Sequence, residues 1–445
     1  MQFYWIITQM RKLRKGFLGN VLPHLRRDMV EAAFEGFTTR HRIYDTWALF
    51  QTFLSQTAVN GGCREAIEIG VNQGWLPERT SPKTSAYCNA RTRLPEAPLK
   101  SLAFSVGNSL EDGLPPEWLF CGRRVMVVDG TSVQLPDTAQ NQLEYPQPEP
   151  QKPGCGFPVM YISVLMGLGS GAVIDAETSG RSGYERTLFR TLWRSLSPGD
   201  IVLGDRGYGS YAEMAMLSRL EVDTVFRQKE NMLDTKTAIS IGEDDWLHPW
   251  HRTATRNNWV DADELPEMMV IRAIRFKVEV KGVRAKTVVL FTTLVNPELH
   301  SKAELIKLYK KRWEMELRFR DIKTTMGFDM LKCKTPEGCR KELWMALLAY
   351  NLIRSVMADA ALKYKSRLDR ISFAGAVQRL KAFAAGYLVR ENPTEAYSLL
   401  IKHLAEDLVP HRPNRIEPRR IKRRPKNCNY LTIPRQTGRL YPINP

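Results

Sequence analysis

The sequence predicts an α/β protein in which a mixed sheet is flanked by helices and carries a β-rich insertion, with a helical N-terminal domain and a helical C-terminal region. Two patterns predict this fold. Short apolar runs alternate with segments of helical spacing over residues 120–228, and further strand-like runs follow over residues 229–300. On both sides of this stretch, apolar residues recur at helical spacing. The predicted parts are 1–110, 120–228, 229–300, 301–410 and a basic arm, 411–445.

The net charge is the outlying feature of the composition. A chain of 445 residues suffices for two or three domains, and 43% apolar with 25% charged residues is typical of folded soluble proteins. The net charge is +17, but residues 1–27 carry six Lys or Arg and no acid, and residues 412–445 carry ten and one acid. Basic ends on a nearly neutral body indicate a polyanionic partner that is gripped by flexible arms.

Neither the cysteines nor the apolar segments predict an extracytoplasmic or membrane protein. The seven cysteines are scattered and form no C-x-x-C pair, so we expect neither a disulfide framework nor a zinc knuckle. The apolar residues 3–7 precede their basic cluster and no cleavage site follows, so we expect no signal peptide. Residues 153–174 lack charge, but their prolines and the glycines around residues 167–171 predict two strands joined by a turn.

The N-terminal domain is predicted to consist of short helices. Residues 43–57 have helical spacing, residues 63–73 follow a Gly-Gly pair, and Ser81-Pro82 is typical of a helix start. This last helix carries Arg91 and Arg93. Small helices of which the last is basic fit a helix-turn-helix reader of DNA and equally fit a plain helical bundle.

Two aspartates follow apolar strands of the predicted sheet. Residues 125–128 precede Asp129-Gly130, and residues 201–204 precede Asp205-Arg206-Gly207. Ligands of open α/β sheets bind beyond the carboxyl ends of strands, so neighbouring strands would bring both aspartates to one edge, where they suit Mg²⁺ or Mn²⁺. Taken alone, they are more simply explained as turn aspartates. The other elements predicted here are strands at 157–166, 172–178 and 222–227 and helices at 184–196 and 211–220.

A third candidate carboxylate lies on a predicted helix, 302–326. At about 100° per residue, a stripe about 60° wide contains Tyr309, Arg312, Glu316 and Lys323. It borders a buried stripe made of Leu308, Met315, Phe319, Ile322 and Met326. The side chains predicted to point elsewhere are Lys307, Lys310, Glu314, Arg318 and Asp321. Glu316 could therefore reach into a cleft, although a solvated charged face explains the stripe as well.

Asp129, Asp205 and Glu316 together could hold two divalent ions. Such a pair activates a nucleophile on one side of a phosphodiester and stabilises the leaving oxygen on the other. Arg312 and Lys323 would neutralise a phosphate bound beside the glutamate. The pattern predicts metal-dependent phosphoryl transfer on nucleic acid.

These residues resemble the IS4 family of bacterial DDE transposases. The spacing Tyr309-x2-Arg312-x3-Glu316-x6-Lys323 is that of the family's YREK signature. Asp129-Gly-Thr and Asp205-Arg-Gly-Tyr are similar to the segments that carry its two aspartates, and residues 343–354 resemble its downstream helix. The similarity covers residues 124–355 well and residues 30–110 loosely.

The resemblance implies an RNase H-like core and a DNA transposase that binds terminal inverted repeats and moves DNA by cut and paste. It assigns Asp129, Asp205 and Glu316 to catalysis and to two ions, Mg²⁺ or Mn²⁺. The expected partners are double-stranded DNA and a second copy of the chain in the synaptic complex, with no membrane. We expect the protein in the bacterial cytoplasm, at the nucleoid. The residues expected to contact DNA are Tyr309, Arg312, Lys323, Arg206, Arg91, Arg93, Arg419, Arg420, Arg423 and Arg424.

The aromatic residues of the insertion leave the cleavage route open. Relatives with a hairpin intermediate stack a flipped base on a tryptophan near the strand predicted at 287–294, which here contains Phe291 and no tryptophan. Trp246, Trp250 and Trp259 lie in the same insertion and offer aromatic faces, but packing within the insertion is the simpler explanation for each.

Two histidines of the insertion could suggest a metal site. His248 and His251 have no additional ligands near them in the sequence, so we expect them to be structural.

Two alternative functions stay open beside the transposase: a nuclease of the same fold that does not join strands, and an inactive DNA-binding derivative of an insertion element. The presence of all three carboxylates argues against the inactive derivative.

Overall fold

The computed structural model describes residues 24–37, 43–181, 185–252, 258–280, 283–386, 393–410, 433–434 and 436–437. The predicted DNA contacts Arg419, Arg420, Arg423 and Arg424 lie outside these residues, so their role stays a prediction.

The elements alternate much as the sequence predicts. The strands are β1 (Val125–Gln134), β2 (Val159–Gly167), β3 (Val173–Ser179), β4 (Ile201–Gly204), β5 (Asp223–Gln228), β6 (Ile239–Gly242), β7 (Asp245–His251), β8 (Met268–Val280) and β9 (Val283–Thr292). The helices are α1 (Arg27–Ala33), α2 (Thr46–Ala58), α3 (Cys63–Asn72), α4 (Ser85–Arg93), α5 (Glu96–Asp112), α6 (Ala139–Glu144), α7 (Glu185–Leu192), α8 (Tyr211–Arg219), α9 (Lys302–Lys310), α10 (Glu314–Arg320), α11 (Pro336–Tyr364), α12 (Phe373–Gly386) and α13 (Pro393–Glu406).

The nine strands of the described residues form one mixed sheet in the order β3-β2-β1-β4-β5-β9-β8-β7-β6. The first five have an RNase H-like arrangement, because β1 pairs with β2 antiparallel and with β4 parallel, and β4 pairs with β5 parallel. Strand β9 then pairs with β5 antiparallel, so the strands after residue 229 extend the same sheet. The predicted mixed α/β sheet flanked by helices is confirmed.

Strand β1 is longer than predicted and does not end at Asp129. Its partner β2 continues alongside it, with Asp129 opposite Val164 and Gly130 opposite Ser163. Pairing on the other side stops earlier, at Val127 opposite Leu203. Asp129 therefore follows the last residue of β1 that pairs with β4, although the strand itself runs on.

Three other features of the structure differ from the prediction. Helix α4 begins at Ser85 rather than after Ser81-Pro82, because the chain at 81–84 forms bends instead of a helical turn. Strands β6 and β7 were not predicted, since proline and histidine interrupt the apolar pattern of β7. The helix predicted at 302–326 is not uniform: a 3-10 turn (Lys311–Trp313) separates α9 from α10, and a π-helical turn (Asp321–Thr325) follows α10.

The long helix α11 organises the core. It is long and apolar enough to span a membrane, but 89% of its most apolar window is buried inside the protein, as expected for a core helix. Helices α2 and α5 from the N-terminal part and α13 from the C-terminal part pack against it. The boundary predicted at residue 110 falls inside α5, so the N-terminal helices share a core with the sheet.

Polar side chains of α11 fasten it to its neighbours. The Trp344 indole donates to Glu96 at 2.8 Å, and the Tyr350 hydroxyl donates to the Gly171 carbonyl at 2.7 Å. Arg354 Nε donates to the Ser170 carbonyl at 2.9 Å. Much of the sequence motif at 343–354 thus holds the N-terminal helices and the β2–β3 turn onto α11.

Candidate active site

Strands β1 and β4 bring Asp129 and Asp205 to the same edge of the sheet. In the parallel pairing, Val127 lies opposite Leu203, and the same register continued by two residues sets Asp129 opposite Asp205. Alternate strand residues face opposite sides, so Asp129 shares the side of Val127. That side is packed by α9 and α10, whose Leu308 and Met315 lie in the same core cluster.

A backbone amide holds one oxygen of each aspartate. Asp129 Oδ1 accepts from its neighbour, the Gly130 amide, at 2.8 Å. Asp205 Oδ1 accepts from the Gly207 amide at 2.7 Å, which closes a tight turn directly after β4. These bonds orient both carboxylates through their Oδ1 atoms, and Asp129 Oδ2 lies 3.8 Å from Arg312 Nη1.

The helical segment with the third carboxylate starts with a strong cap. Ser301 and Glu304 form a reciprocal capping box, which fixes the first turn of α9. Beyond it, Arg312 lies in the 3-10 turn and Lys323 lies in the π-helical turn. Departures from α-helical geometry of this kind often occur at functional sites.

The side chains of this segment follow the predicted stripes only in part. Leu308, Met315, Ile322 and Met326 are buried as predicted, and Glu316 is exposed. Asp321, predicted to point elsewhere, is instead buried beside Arg318, with Asp321 Oδ2 3.9 Å from Arg318 Nη1. The prediction failed there because the 3-10 turn Lys311–Trp313 has fewer residues per turn than an α-helix and rotates the side chains that follow it, Asp321 among them.

Asp205 and Glu316 lie close enough to Asp129 to raise its pKa. The pKa of Asp129 is raised to about 6: burial is the largest cause, the Gly130 amide and Arg312 lower the pKa, and the charges of Asp205 and Glu316 add to the rise. Arg312 Nη1 lies 3.8 Å from Asp129 Oδ2. Among the described charges that act most strongly on Asp129, two carboxylates stand against one guanidinium, which leaves a surplus of negative charge.

Arg312 and Tyr309 lie beside this surplus of negative charge. We call these two side chains the cationic wall. Both side chains are buried, and the guanidinium carbon lies 5.7 Å from the centre of the Tyr309 ring. In the described part of the chain, the buried Arg312 Nε has no hydrogen-bond partner. Leaving a buried donor without an acceptor costs free energy, so this N–H group could donate a hydrogen bond to an anionic ligand.

Comparison with known proteins identifies the family. The model of the Transposase DDE domain family matches residues 120–352, more than half of the chain. The protein is a DDE transposase of the IS4 family. Transposase InsG for insertion sequence element IS4 of Escherichia coli (strain K12) is 26% identical over 373 residues, which cover 79% of each chain. A solved piggyBac transposase synaptic complex with hairpin DNA aligns over 91% of this chain and 86% of that one, with a TM-score of 0.45 and 11% identity.

The other predicted DNA contacts of the transposase differ in how exposed their side chains are. Arg206 is exposed, next to Asp205, and Arg93 is exposed at the end of α4. Arg91 is engaged inside the protein: it donates to Gln56 at 2.8 Å and to the Cys333 sulfur at 3.4 Å. Lys323 is half-buried, and burial lowers its pKa against the opposing effect of Asp329.

Trp246, Trp250, Trp259 and His248 have aromatic or cationic neighbours within the protein. Trp250 is buried edge-on against Phe291, with ring centres 5.2 Å apart. Trp246 lies 5.1 Å from the Arg275 guanidinium, and Trp259 lies 4.4 Å from that of Arg190. His248 is buried, and burial lowers its pKa.

Sequence reasoning missed Tyr208 and Glu185, on the opposite side of β1. The Tyr208 hydroxyl is buried, and burial together with the charges of Asp129, Glu185 and Asp205 raises its pKa. A Cβ at Gly130 would lie 3.3 Å from this hydroxyl, so glycine allows the close approach. The Asp205-Arg-Gly-Tyr segment contained Tyr208, but nothing in the sequence placed it behind Asp129.

Proposed function

We propose that this transposase binds the terminal inverted repeats of its element as a homodimer and performs cut-and-paste cleavage and strand transfer. Asp129, Asp205 and Glu316 are the catalytic residues of this proposal. The observation that carries it is the convergence of these carboxylates, seen in the pKa of Asp129, which both others raise.

The donor chemistry fits divalent cations. Carboxylate oxygens are the ligands that Mg²⁺ and Mn²⁺ prefer, and the surplus negative charge favours a cation. In the residues that the structure describes, no group of three His, Cys, Asp or Glu side chains is arranged to hold a metal ion. We therefore assign ion binding to the complex with DNA, with Asp129, Asp205 and Glu316 as ligands. Two bound ions would activate the attacking hydroxyl and stabilise the leaving oxygen.

The cationic wall orients the phosphate in this proposal. Arg312 offers its unpartnered Nε to a non-bridging oxygen of the scissile phosphate, and the neighbouring Tyr309 hydroxyl supports the same group. Lys323 is half-buried in the π-helical turn and adds a positive charge. Its ammonium group lacks the planar array of donors that the Arg312 guanidinium has. Charge neutralisation by these three side chains lowers the electrostatic cost of placing DNA beside three carboxylates.

The test compares two glutamates of α10. Glu316→Gln removes a proposed ligand, and Glu314→Gln is the matched control, since Glu314 is paired with Arg318 at 3.7 Å and lines a cavity elsewhere. The substrate is a duplex made from the DNA that flanks the reading frame, with Mg²⁺ present. We expect Glu316→Gln to reduce single-turnover cleavage at least about a thousandfold, because loss of a metal ligand removes several kcal/mol of stabilisation. Equal cleavage by the two variants would exclude the assignment.

A second assay separates the transposase from a plain nuclease and from an inactive derivative. Pre-cleaved ends are incubated with supercoiled target DNA, and joined products are measured. Joined product supports strand transfer. Cleavage of intact ends without joining would indicate the nuclease, and binding of ends without either reaction would indicate the inactive derivative.

A further inference from the structure

A cavity of about 340 Å³ adjoins the loop that carries Asp205. It opens where β4 and β5 end, since its walls come from the loop after Asp205, from the start of α8 and from the end of β5. Its volume lies in the range of small-ligand sites, ~300–1,000 Å³. The lining residues are Arg186, Arg206, Gly207, Gly209, Ser210, Tyr211, Gln228, Lys229, Met232 and Trp250.

The charged side chains in the described lining of this cavity are all positive. Its described lining contains three cations, Arg186, Arg206 and Lys229, and no carboxylate. The nearby buried carboxylate of Glu213 already has its own partner, Arg190, at 2.7 Å. We call Arg186, Arg206 and Lys229 the basic trio.

A second cavity shows that such a bias is not general. It has a volume of about 470 Å³ and lies at the opposite end of the strands, beside the first residue of β1. Its lining balances four basic against four acidic side chains: Lys307, Lys311, Arg318 and Arg367 against Glu117, Glu304, Glu314 and Asp369. A lining of cations alone therefore distinguishes the cavity next to Asp205.

Two buried aromatic side chains form an apolar floor in the cationic cavity. Trp250 and Tyr211 are buried there, with ring centres 5.2 Å apart and planes at 74°. The Tyr211 hydroxyl donates to the Pro266 carbonyl at 2.7 Å, so it is not a donor for a ligand. Cations at the rim over an apolar floor suit a phosphate joined to a sugar better than a small inorganic anion.

The cavity also lies within reach of a strand bound at the carboxylates. Arg206 directly follows Asp205, and consecutive Cα atoms are about 3.8 Å apart. Phosphates along one DNA strand recur about every 3.4 Å of the helix axis. A strand with its scissile phosphate at Asp205 therefore brings its next one or two phosphates beside Arg206, and Arg186 and Lys229 line the same cavity as Arg206.

We infer that the basic trio binds the phosphodiester backbone of DNA one or two nucleotides from the scissile phosphate. This inference rests on the proposed function for the position of the scissile phosphate. It adds Arg186, from α7, and Lys229, which follows β5, to the DNA-contacting surface. The contact is to the backbone, so it contributes affinity and register rather than base specificity.

The test measures DNA binding as a function of salt. The trio variant is Arg186→Gln, Arg206→Gln and Lys229→Gln. The charge-matched control is Lys307→Gln, Lys311→Gln and Arg367→Gln, at the balanced cavity. The probes are a duplex that carries the DNA flanking the reading frame and a random-sequence duplex of equal length. We expect the trio variant to bind both duplexes about 10- to 100-fold more weakly and its log–log salt slope to flatten by about 1–2, at about 0.9 per phosphate contact.

Equal affinity and slope in the trio variant and its control would overturn the inference. The proposed function fails separately: wild-type protein that cleaves and joins no DNA would contradict it, whatever the binding data show. Circular dichroism and thermal unfolding check that the variants are folded. If the triple variant does not fold, Arg206→Gln alone is combined with a methylphosphonate scan of the duplex. Neutralising the phosphates next to the cleavage site must then weaken wild-type binding more than Arg206→Gln binding, and equal weakening would exclude the contact.

Discussion

Asn351 joins three elements through one buried side chain, and its replacement by leucine should destabilise the protein strongly. Its amide nitrogen donates to the carbonyls of Ala103 in α5 and Val173 in β3, both at 2.8 Å. Its amide oxygen accepts from the Val173 amide, also at 2.8 Å. Strand β3 is at the edge of the sheet, so Asn351 supplies the hydrogen bonds that a further strand would supply.

The cost follows from the groups that Asn351→Leu leaves unpaired. Both main-chain groups of Val173 would be buried without a partner, at about 1–3 kcal/mol each. The Ala103 carbonyl lies within α5 and retains the helical hydrogen bond, so it adds little. The expected loss is therefore about 2–6 kcal/mol, a large part of a typical stability of about 5–15 kcal/mol.

Urea unfolding followed by far-UV circular dichroism measures this loss. Asn108→Leu is the matched control, since Asn108 reaches β3 with one bond only, to the Ile174 carbonyl at 3.2 Å. We expect the control to lose about 1 kcal/mol. A loss below about 1 kcal/mol for Asn351→Leu, or an equal loss in both variants, would refute the view that Asn351 fastens α11 to the sheet edge.

Two further predictions concern α5. Gly107→Ala should destabilise the protein by about 1–3 kcal/mol, because the new Cβ would overlap the Val173 carbonyl and lie 2.7 Å from Asn351 Nδ2. Gly62→Ala, where a Cβ meets nothing within 4 Å, is the control, and equal melting temperatures would contradict the packing. Glu111 is buried, and burial raises its pKa against its hydrogen bonds from Ser170. Its folded pKa therefore exceeds its unfolded one, so the wild type should lose stability as the pH rises above the ordinary carboxyl range near 4.5. Glu111→Gln should lack this loss in urea titrations at a series of pH values, and parallel profiles would contradict it.

The order of the elements could be predicted from the sequence because local patterns determine it. Strand β4 and helix α8 were placed within one residue, since an apolar run, a glycine turn and a serine cap mark their ends. The end of β1 was not predicted correctly, because Asp129-Gly130 has the composition of a turn and only the pairing with β2 extends the strand. Tertiary pairing overrode local propensity there.

The candidate site shows the same limit. The spacing of Tyr309, Arg312, Glu316 and Lys323 predicted candidate site residues, but uniform helical counting could not foresee the 3-10 and π-helical turns. It also could not foresee that Arg91 is used internally, since its partner Cys333 is 242 residues away in the chain. Contacts between distant parts of the chain leave no periodic signal in the sequence.

Binding of Mn²⁺ in the presence of the element-end duplex tests the central claim most directly. Electron paramagnetic resonance counts free Mn²⁺ for the wild type, for Asp129→Asn, Asp205→Asn and Glu316→Gln, and for the control Glu314→Gln. If the three carboxylates form one site, each of the first three substitutions weakens Mn²⁺ binding at least about tenfold while the control retains wild-type affinity. Wild-type Mn²⁺ affinity in any of the three variants would contradict the claim that β1, the loop after β4 and α10 build a single metal-binding active site.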